Sequence, residues 1–207
     1  ILSKLFPLVF LPAALLFAGK KDRASFLLGL FAAGGLLCLP FWPEMLNALG
    51  TLDTYARHWE FSGFVYQVLS GALPSGILPR ALLALAFLAV LVGAYRAALS
   101  RGGEPEGAFR SCHAVALAFL LLSPTLHPWY ALYLACLLPL AGGPAGIALS
   151  WAVLLAYQVL TPYALLGQWQ EAPLVPLLIF SAPAGGAVLS IIAARTLGRA
   201  PSSAEAG

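Results

Sequence analysis

The sequence predicts an all-α fold, a polytopic transmembrane helical bundle of about seven membrane segments. Of its 207 residues, 61% are apolar and only 9% are charged. Soluble globular proteins carry about 25% charged residues, so the charges here are too few to cover a water-exposed surface. No alternation of period two is long enough for a transmembrane β-strand. A net charge of +3 also leaves no basic face, so no nucleic-acid partner is expected.

The apolar runs, cut at charges and at proline or glycine clusters, give the predicted membrane segments. They are Leu5–Ala18, Ser25–Phe41, Ile77–Leu99, Cys112–Leu122, Trp129–Ala141, Ile147–Leu166 and Leu174–Ala194. The short pair on either side of Ser123–Pro128 is interpreted as a broken helical hairpin that bends at one membrane face. Residues 1–200 are thus predicted to form one transmembrane domain, followed by a cytosolic tail at 201–207.

Positive charge orients the predicted bundle, because cytoplasmic connections are enriched in lysine and arginine. If the segments alternate, the connections on one side hold Lys20, Lys21, Arg23, Arg96, Arg101, Arg110, Arg195 and Arg199. The opposite side holds Lys4, Arg57 and Arg80. The cation-rich side is therefore assigned to the cytoplasm, and the loop Arg101–Arg110 with it.

The largest connection on the outer side runs from Pro43 to Gly76. Its apolar residues recur at steps of three and four, at Met45, Leu49, Leu52, Ala56 and Trp59. That spacing predicts an amphipathic helix lying on the membrane surface.

Polar and ionisable residues near a membrane are costly, so each group of them on the outer side is a candidate site. Lys4 either anchors a helix end by snorkelling or binds a lipid-linked phosphate. The stretch Tyr55–Gly63 contains Arg57, His58, Trp59 and Glu60. Its charges either form ordinary helix-surface pairs, Asp53–Arg57 and Arg57–Glu60, or bind an anionic, hydroxyl-rich ligand.

The third group is Ser123–Tyr130, which contains His127, Trp129 and Tyr130. An interfacial aromatic belt explains the tryptophan and the tyrosine but not the histidine, so a functional role is favoured for His127. No nucleotide-binding or metal-ligand spacing occurs, so neither a cofactor nor a metal is expected.

Three of these stretches together resemble part of a known enzyme family. They are Lys4–Pro7 with Leu11-Pro12, Tyr55–Gly63, and Ser123–Tyr130 with Leu138-Pro139. They are similar to the later half of GT-C-type integral-membrane glycosyltransferases, in the bacterial polyprenyl-phosphate-mannose-dependent mannosyltransferase-like branch. In that branch a K-x-x-P segment, a W-x-F-N/S-G stretch and an H-P-W-Y stretch occur in this order. Ser62 stands where asparagine is more usual.

The resemblance implies an enzyme of the bacterial inner membrane that works at the outer face. It would transfer mannose or another hexose from a polyprenyl-phosphate donor to a lipid or glycan acceptor, with Lys4, Arg57, Trp59, His127 and Tyr130 on the active-site side. The family's catalytic carboxylate precedes the K-x-x-P segment, so the base is expected upstream of Ile1. The chain is therefore expected to be a C-terminal fragment that is inactive alone. Two alternatives stay open: a non-catalytic transporter or flippase-like subunit, and a purely structural subunit.

Overall fold

The fold is all-α, as the sequence predicts. The computed structural model describes residues 6–18, 21–74, 76–100 and 104–197 and is 84% helical. Within these ranges no β-strand forms, and the β-type pairing consists of two isolated bridges, Phe61–Thr125 and Ser62–Thr125. Lys4 lies outside the described residues.

Helices follow one another along the whole described chain. The α-helices are α1 (Leu11–Phe17), α2 (Arg23–Cys38), α3 (Trp42–His58), α4 (Phe64–Ala72), α5 (Ile77–Ser100), α6 (Pro105–Leu122), α7 (Ala131–Ala135), α8 (Leu138–Ala141), α9 (Pro144–Ala152), α10 (Leu160–Leu166) and α11 (Leu174–Leu197). Segments of 3-10 helix lie at Phe6–Phe10, Leu39–Phe41, Pro128–Tyr130 and Val153–Val159.

Four helical stretches are long and apolar enough to cross a membrane. They are Arg23–Phe41, Ile77–Ser100, Pro144–Leu166 and Leu174–Ala193. About 20 helical residues rise through the roughly 30 Å of a bilayer core, so these stretches suggest a membrane protein. They coincide with four of the predicted segments. A shorter apolar helix lies at Phe6–Phe17.

The chain divides into two compact units, residues 1–126 and 127–207. In the first unit, α5 and α6 pack along each other. Ser111 Oγ in α6 donates to the Ala94 carbonyl oxygen in α5 at 2.8 Å. Tyr95 Oη in α5 donates to the carbonyl oxygen of Val9, in the 3-10 segment Phe6–Phe10, at 2.8 Å. Such bonds allow polar side chains to be buried in an apolar surrounding at low cost.

Helix α6 begins earlier than the charge pattern suggests. The prediction of a loop ending at Arg110 is wrong over residues 105–110, because these residues form the first turns of α6. Pro105 lies at the helix start, Glu106 lies in the first turn, and Glu106 pairs with Arg110 at 2.6 Å. A proline and an acidic residue both favour a helix N-terminus, so the helix extends beyond the apolar run.

Helix α3 covers most of the predicted amphipathic stretch. The side chains of Met45, Leu49, Leu52 and Ala56 lie outside the described residues. Trp59 lies one residue beyond the end of α3, where the backbone becomes extended (φ −84°, ψ 128°). The chain between α3 and α4 is therefore not helical.

In the second unit, α9 and α11 pack closely. A Cβ atom at Gly186 would lie 2.5 Å from the Pro144 carbonyl oxygen, so only glycine permits this approach. The predicted segment Trp129–Ala141 is divided into a 3-10 turn, α7 and α8. The turn Pro128–Tyr130 packs against the 3-10 segment Val153–Val159.

The predicted orientation can be tested by labelling single cysteines. Gln67 and Glu106 are both exposed and fall on opposite predicted sides. In a variant without Cys38, Cys112 and Cys136, we expect an impermeant maleimide to label Gln67→Cys in intact cells and to label Glu106→Cys only after lysis. The opposite labelling pattern would contradict the predicted orientation.

Candidate functional site

Two predicted site stretches, Trp59–Gly63 and Ser123–Leu126, are hydrogen-bonded to each other in the first unit. Phe61 N donates to the Pro124 carbonyl oxygen at 3.1 Å, and Leu126 N donates to the Phe61 carbonyl oxygen at 2.7 Å. Thr125 Oγ1 donates to the Trp59 carbonyl oxygen at 2.9 Å. We call this pairing the junction. It satisfies buried backbone groups that neither stretch could satisfy within a helix.

The second stretch is shaped by the end of α6. Ser123 Oγ donates to the Thr125 carbonyl oxygen at 2.6 Å and accepts from Thr125 N at 3.2 Å. Pro124 has no N–H group and cannot continue the helix. The chain therefore turns out of α6 and presents the Pro124 carbonyl to the first stretch.

The first stretch fits the junction through an unusual backbone. Ser62 has φ 53° and is 1% exposed. Asparagine and glycine adopt this left-handed region more readily than serine, so an asparagine would suit the same backbone. At Gly63 a Cβ atom would lie 2.5 Å from the Pro124 carbonyl oxygen. Glycine is thus required there by the close approach of the second stretch.

Glu60 binds two side chains through one oxygen. Its Oε1 accepts from Tyr66 Oη at 2.5 Å and from Arg80 Nη2 at 2.7 Å. The Arg80 guanidinium lies 4.5 Å from the centre of the Tyr66 ring, and Arg80 Nη1 donates to the Trp59 carbonyl oxygen at 3.4 Å. Burial and the hydrogen bond to Glu60 raise the pKa of Tyr66, so the phenol remains a donor at neutral pH.

The prediction of an ion pair between Arg57 and Glu60 is therefore wrong. Helix α3 ends at His58 and the chain is extended at Trp59, which removes Glu60 from helical register with Arg57. The other expected pair is confirmed, because Arg57 Nε donates to Asp53 Oδ1 at 2.7 Å.

The last turn of α3 remains open to a ligand. Arg57 and Asp53 are both well exposed, and an exposed ion pair contributes only about 0–1 kcal/mol. His58 Nδ1 lies 3.1 Å from the Thr54 carbonyl oxygen. Trp59 stacks on Tyr55 at 5.2 Å between ring centres and is half exposed. A cation here is also favoured by the carbonyl end of the helix, and an anion could recruit Arg57 from Asp53 at small cost.

His127 belongs to the second unit and lies within an aromatic cluster. Its ring stacks on Trp129, with ring centres 4.4 Å apart and an interplanar angle of 11°, and meets Tyr130 edge-on at 5.4 Å. It is 8% exposed, and this burial lowers its pKa. Since an ordinary histidine has a pKa of about 6.5, His127 is neutral at pH 7 and acts as a hydrogen-bonding group rather than a cation.

Sequence reasoning missed Arg80 and Tyr66 as site residues. The available signal was the position of Arg80, close to the N-terminus of an apolar helix on the predicted outer side. Cations are unfavourable at helix N-termini and depleted in outer connections, so an arginine there calls for a specific partner. That partner is Glu60.

No group of three or more histidine, cysteine or acidic residues that could hold a metal ion occurs in the described part of the chain. Comparisons with protein-family models, curated proteins and solved structures found no match to the chain. The function is therefore argued from the residues and their geometry.

The junction can be tested at Gly63. We expect Gly63→Ala to lower the stability of the chain by about 1–3 kcal/mol, because the new methyl group must displace backbone. Gly71→Ala is the matched control, since a Cβ atom there meets nothing within 4 Å and alanine favours the helix. Thermal unfolding in detergent, followed by circular dichroism, measures both. Equal unfolding midpoints for the two variants would contradict the close approach at the junction.

Proposed function

We propose that the chain is part of a GT-C-type membrane glycosyltransferase. The enzyme transfers a hexose, with mannose as the first candidate, from a polyprenyl-phosphate donor to a lipid or glycan acceptor at the outer membrane face. One observation supports the proposal: parts of two stretches that carry the resemblance, Trp59–Gly63 and Ser123–Leu126, are hydrogen-bonded to each other at the junction. Three helices separate them along the chain.

The proposal includes a finer membrane arrangement. About seven segments cross or enter the inner membrane of a bacterium, with the junction towards the outer face. Membrane lipids surround the apolar helices, and the polyprenyl chain of the donor lies among these lipids. The donor phosphate then sits at the interface, where exposed cations can reach it.

The reaction defines what the residues must do. The acceptor oxygen bonds to the anomeric carbon of the sugar, the bond from that carbon to the phosphate oxygen breaks, and the phosphate leaves with the electron pair. Arg57 suits the phosphate, because a guanidinium stabilises the charge that develops on the leaving group. The acceptor proton goes to a base, which the resemblance places upstream of Ile1.

The second unit, considered by itself, has polar and aromatic groups of a different kind. The neutral His127 can donate one hydrogen bond and accept another. The Trp129 ring beside it is half exposed and offers a flat apolar face. Together they suit a ligand that has both hydroxyl groups and apolar surface.

A transporter is the alternative, and one feature favours it. The stretch Pro144–Leu166 is interrupted by the 3-10 segment Val153–Val159, and Gln158 Nε2 and Ser150 Oγ are buried without a hydrogen-bond partner. Interrupted helices with buried polar groups occur in transporters. Against this alternative, the charged residues of the four long apolar stretches lie near their ends.

Two substitutions test the transferase proposal. In the whole protein that contains this chain, we expect Arg57→Ala and His127→Ala each to lower sugar transfer at least about tenfold, as loss of a preorganised charge or donor does. Transfer of radiolabelled sugar to the lipid fraction of membranes measures the rate at equal protein level.

The control is Arg110→Ala. Arg110 forms the same kind of exposed pair with Glu106, but on the predicted cytoplasmic side. It should leave transfer unchanged. Normal product yield in both Arg57→Ala and His127→Ala would contradict their proposed roles and favour the transporter alternative.

The expected position of the base gives a separate test. We expect membranes containing only residues 1–207 to transfer no sugar when they are supplied with labelled polyprenyl-phosphate sugar and a lipid acceptor. The carboxylates on the predicted outer side are Glu44, Asp53, Glu60 and Glu171. Turnover above that of mock membranes would place the base within this chain, with Glu60 as the first candidate.

A further inference from the structure

The Glu60 carboxylate is held on one side only. Both of its described hydrogen bonds, from Tyr66 Oη and from Arg80 Nη2, end on Oε1. A carboxylate has two oxygens and about four acceptor positions. Oε2 accepts from none of the described residues, so half of the carboxylate is oriented by its partners and still able to accept hydrogen bonds.

The exposure of the two side chains in the Glu60–Arg80 ion pair determines which charge a ligand meets. The Arg80 side chain is 14% exposed and lies against the Tyr66 ring, whereas the Glu60 side chain is 51% exposed. The cation is therefore the covered partner and the anion is the accessible one. A phosphate would meet a negative charge here, whereas ligand hydroxyl groups donate strong hydrogen bonds to a carboxylate.

The backbone on both sides of Glu60 is fixed by the junction. The Trp59 carbonyl accepts from Thr125 Oγ1, and Phe61 uses both its N–H and its carbonyl group in hydrogen bonds to the second stretch. Little conformational freedom is left to lose when a ligand binds, which favours affinity. The adjoining Trp59 ring is half exposed and stacked on Tyr55, so an apolar face lies next to Glu60 in the chain.

We propose that Glu60 is the hydroxyl-accepting carboxylate of a sugar-binding subsite in the first unit, with Arg80 and Tyr66 as its positioning residues. The ligand class is a neutral ring with several hydroxyl groups, not a phosphate. The identity of that ring as the sugar of donor or acceptor rests on the proposed function. Binding itself requires no transfer and is measured separately.

The test uses the full chain in lipid nanodiscs, with methyl α-mannoside and methyl α-glucoside as probes in saturation-transfer NMR. We expect at least one glycoside to bind the unsubstituted chain, and Glu60→Gln to weaken that binding at least about tenfold, as loss of a charged acceptor does. Glu106→Gln is the matched control, because Glu106 is an exposed glutamate that also accepts from an arginine, Arg110, through Oε1. It should bind as the unsubstituted chain does. Inorganic phosphate should not displace the glycoside.

The positioning residues are tested by Tyr66→Phe, which keeps the ring and removes the hydrogen bond to Oε1. We expect glycoside binding by the folded protein to weaken about threefold or more, since the carboxylate loses one of its two orienting donors. A merely structural role for Tyr66 would lower the unfolding temperature and leave the dissociation constant unchanged. If Glu60→Gln fails to fold, Tyr66→Phe decides the question.

Any one of three results would contradict the proposed subsite. The first is that no glycoside binds, and the second is that inorganic phosphate displaces the glycoside. The third is that Glu60→Gln binds the glycoside as the unsubstituted chain does. If Glu60→Gln does not fold, unchanged binding in Tyr66→Phe takes its place. A short-chain polyprenyl-phosphate mannose identifies the source of the hydroxyl groups: displacement of the methyl glycoside assigns the subsite to the donor, and simultaneous binding assigns it to the acceptor. Both outcomes support the subsite.

The subsite and the transferase proposal fail independently. Glycoside binding that depends on Glu60, without sugar transfer in any assay of the whole protein, would support the subsite and contradict the transferase proposal. Sugar transfer that depends on Arg57, without glycoside binding by the chain, would support the transferase proposal and contradict the subsite.

Discussion

The backbone pairing of Phe61 with Pro124 and Leu126 is the constraint on which the candidate site of the first unit depends. The chain leaves α3 at His58 and leaves α6 at Leu122, and after each helix it has backbone groups without helical partners. The two exits satisfy each other at the junction. The fit is close enough to require glycine at Gly63, so the two helix ends cannot separate without exposing buried polar groups.

The junction also explains why Glu60 and Arg80 can face each other. The extended backbone at Trp59 carries Glu60 away from α3, and the fixed Trp59 carbonyl gives Arg80 a second acceptor. An arginine near the N-terminus of an apolar helix would otherwise be costly. Its charge is met by a carboxylate, a carbonyl and the face of the Tyr66 ring, and this arrangement leaves the negative partner accessible.

His127 shows how burial changes the chemistry that a residue offers. Aromatic rings pack against this histidine, and its burial lowers its pKa, so the neutral imidazole is favoured over the cation. The proposed division of roles follows from the environments of the residues. The exposed Arg57 suits phosphate, whereas Glu60 and the neutral His127 suit hydroxyl groups.

The sequence by itself determined the all-α class and the four long apolar helices. Composition and the length of apolar runs are local properties, and in a bilayer they favour helices, which satisfy their own backbone hydrogen bonds. It also singled out the two stretches of the junction, since polar residues are rare in such a chain. Only the tertiary structure decided that Glu60 pairs with Arg80 instead of Arg57, that Ser62 takes a left-handed backbone and that burial lowers the pKa of His127. Each of these depends on burial or on a partner brought close by folding, and neither is encoded in the spacing of residues along one helix.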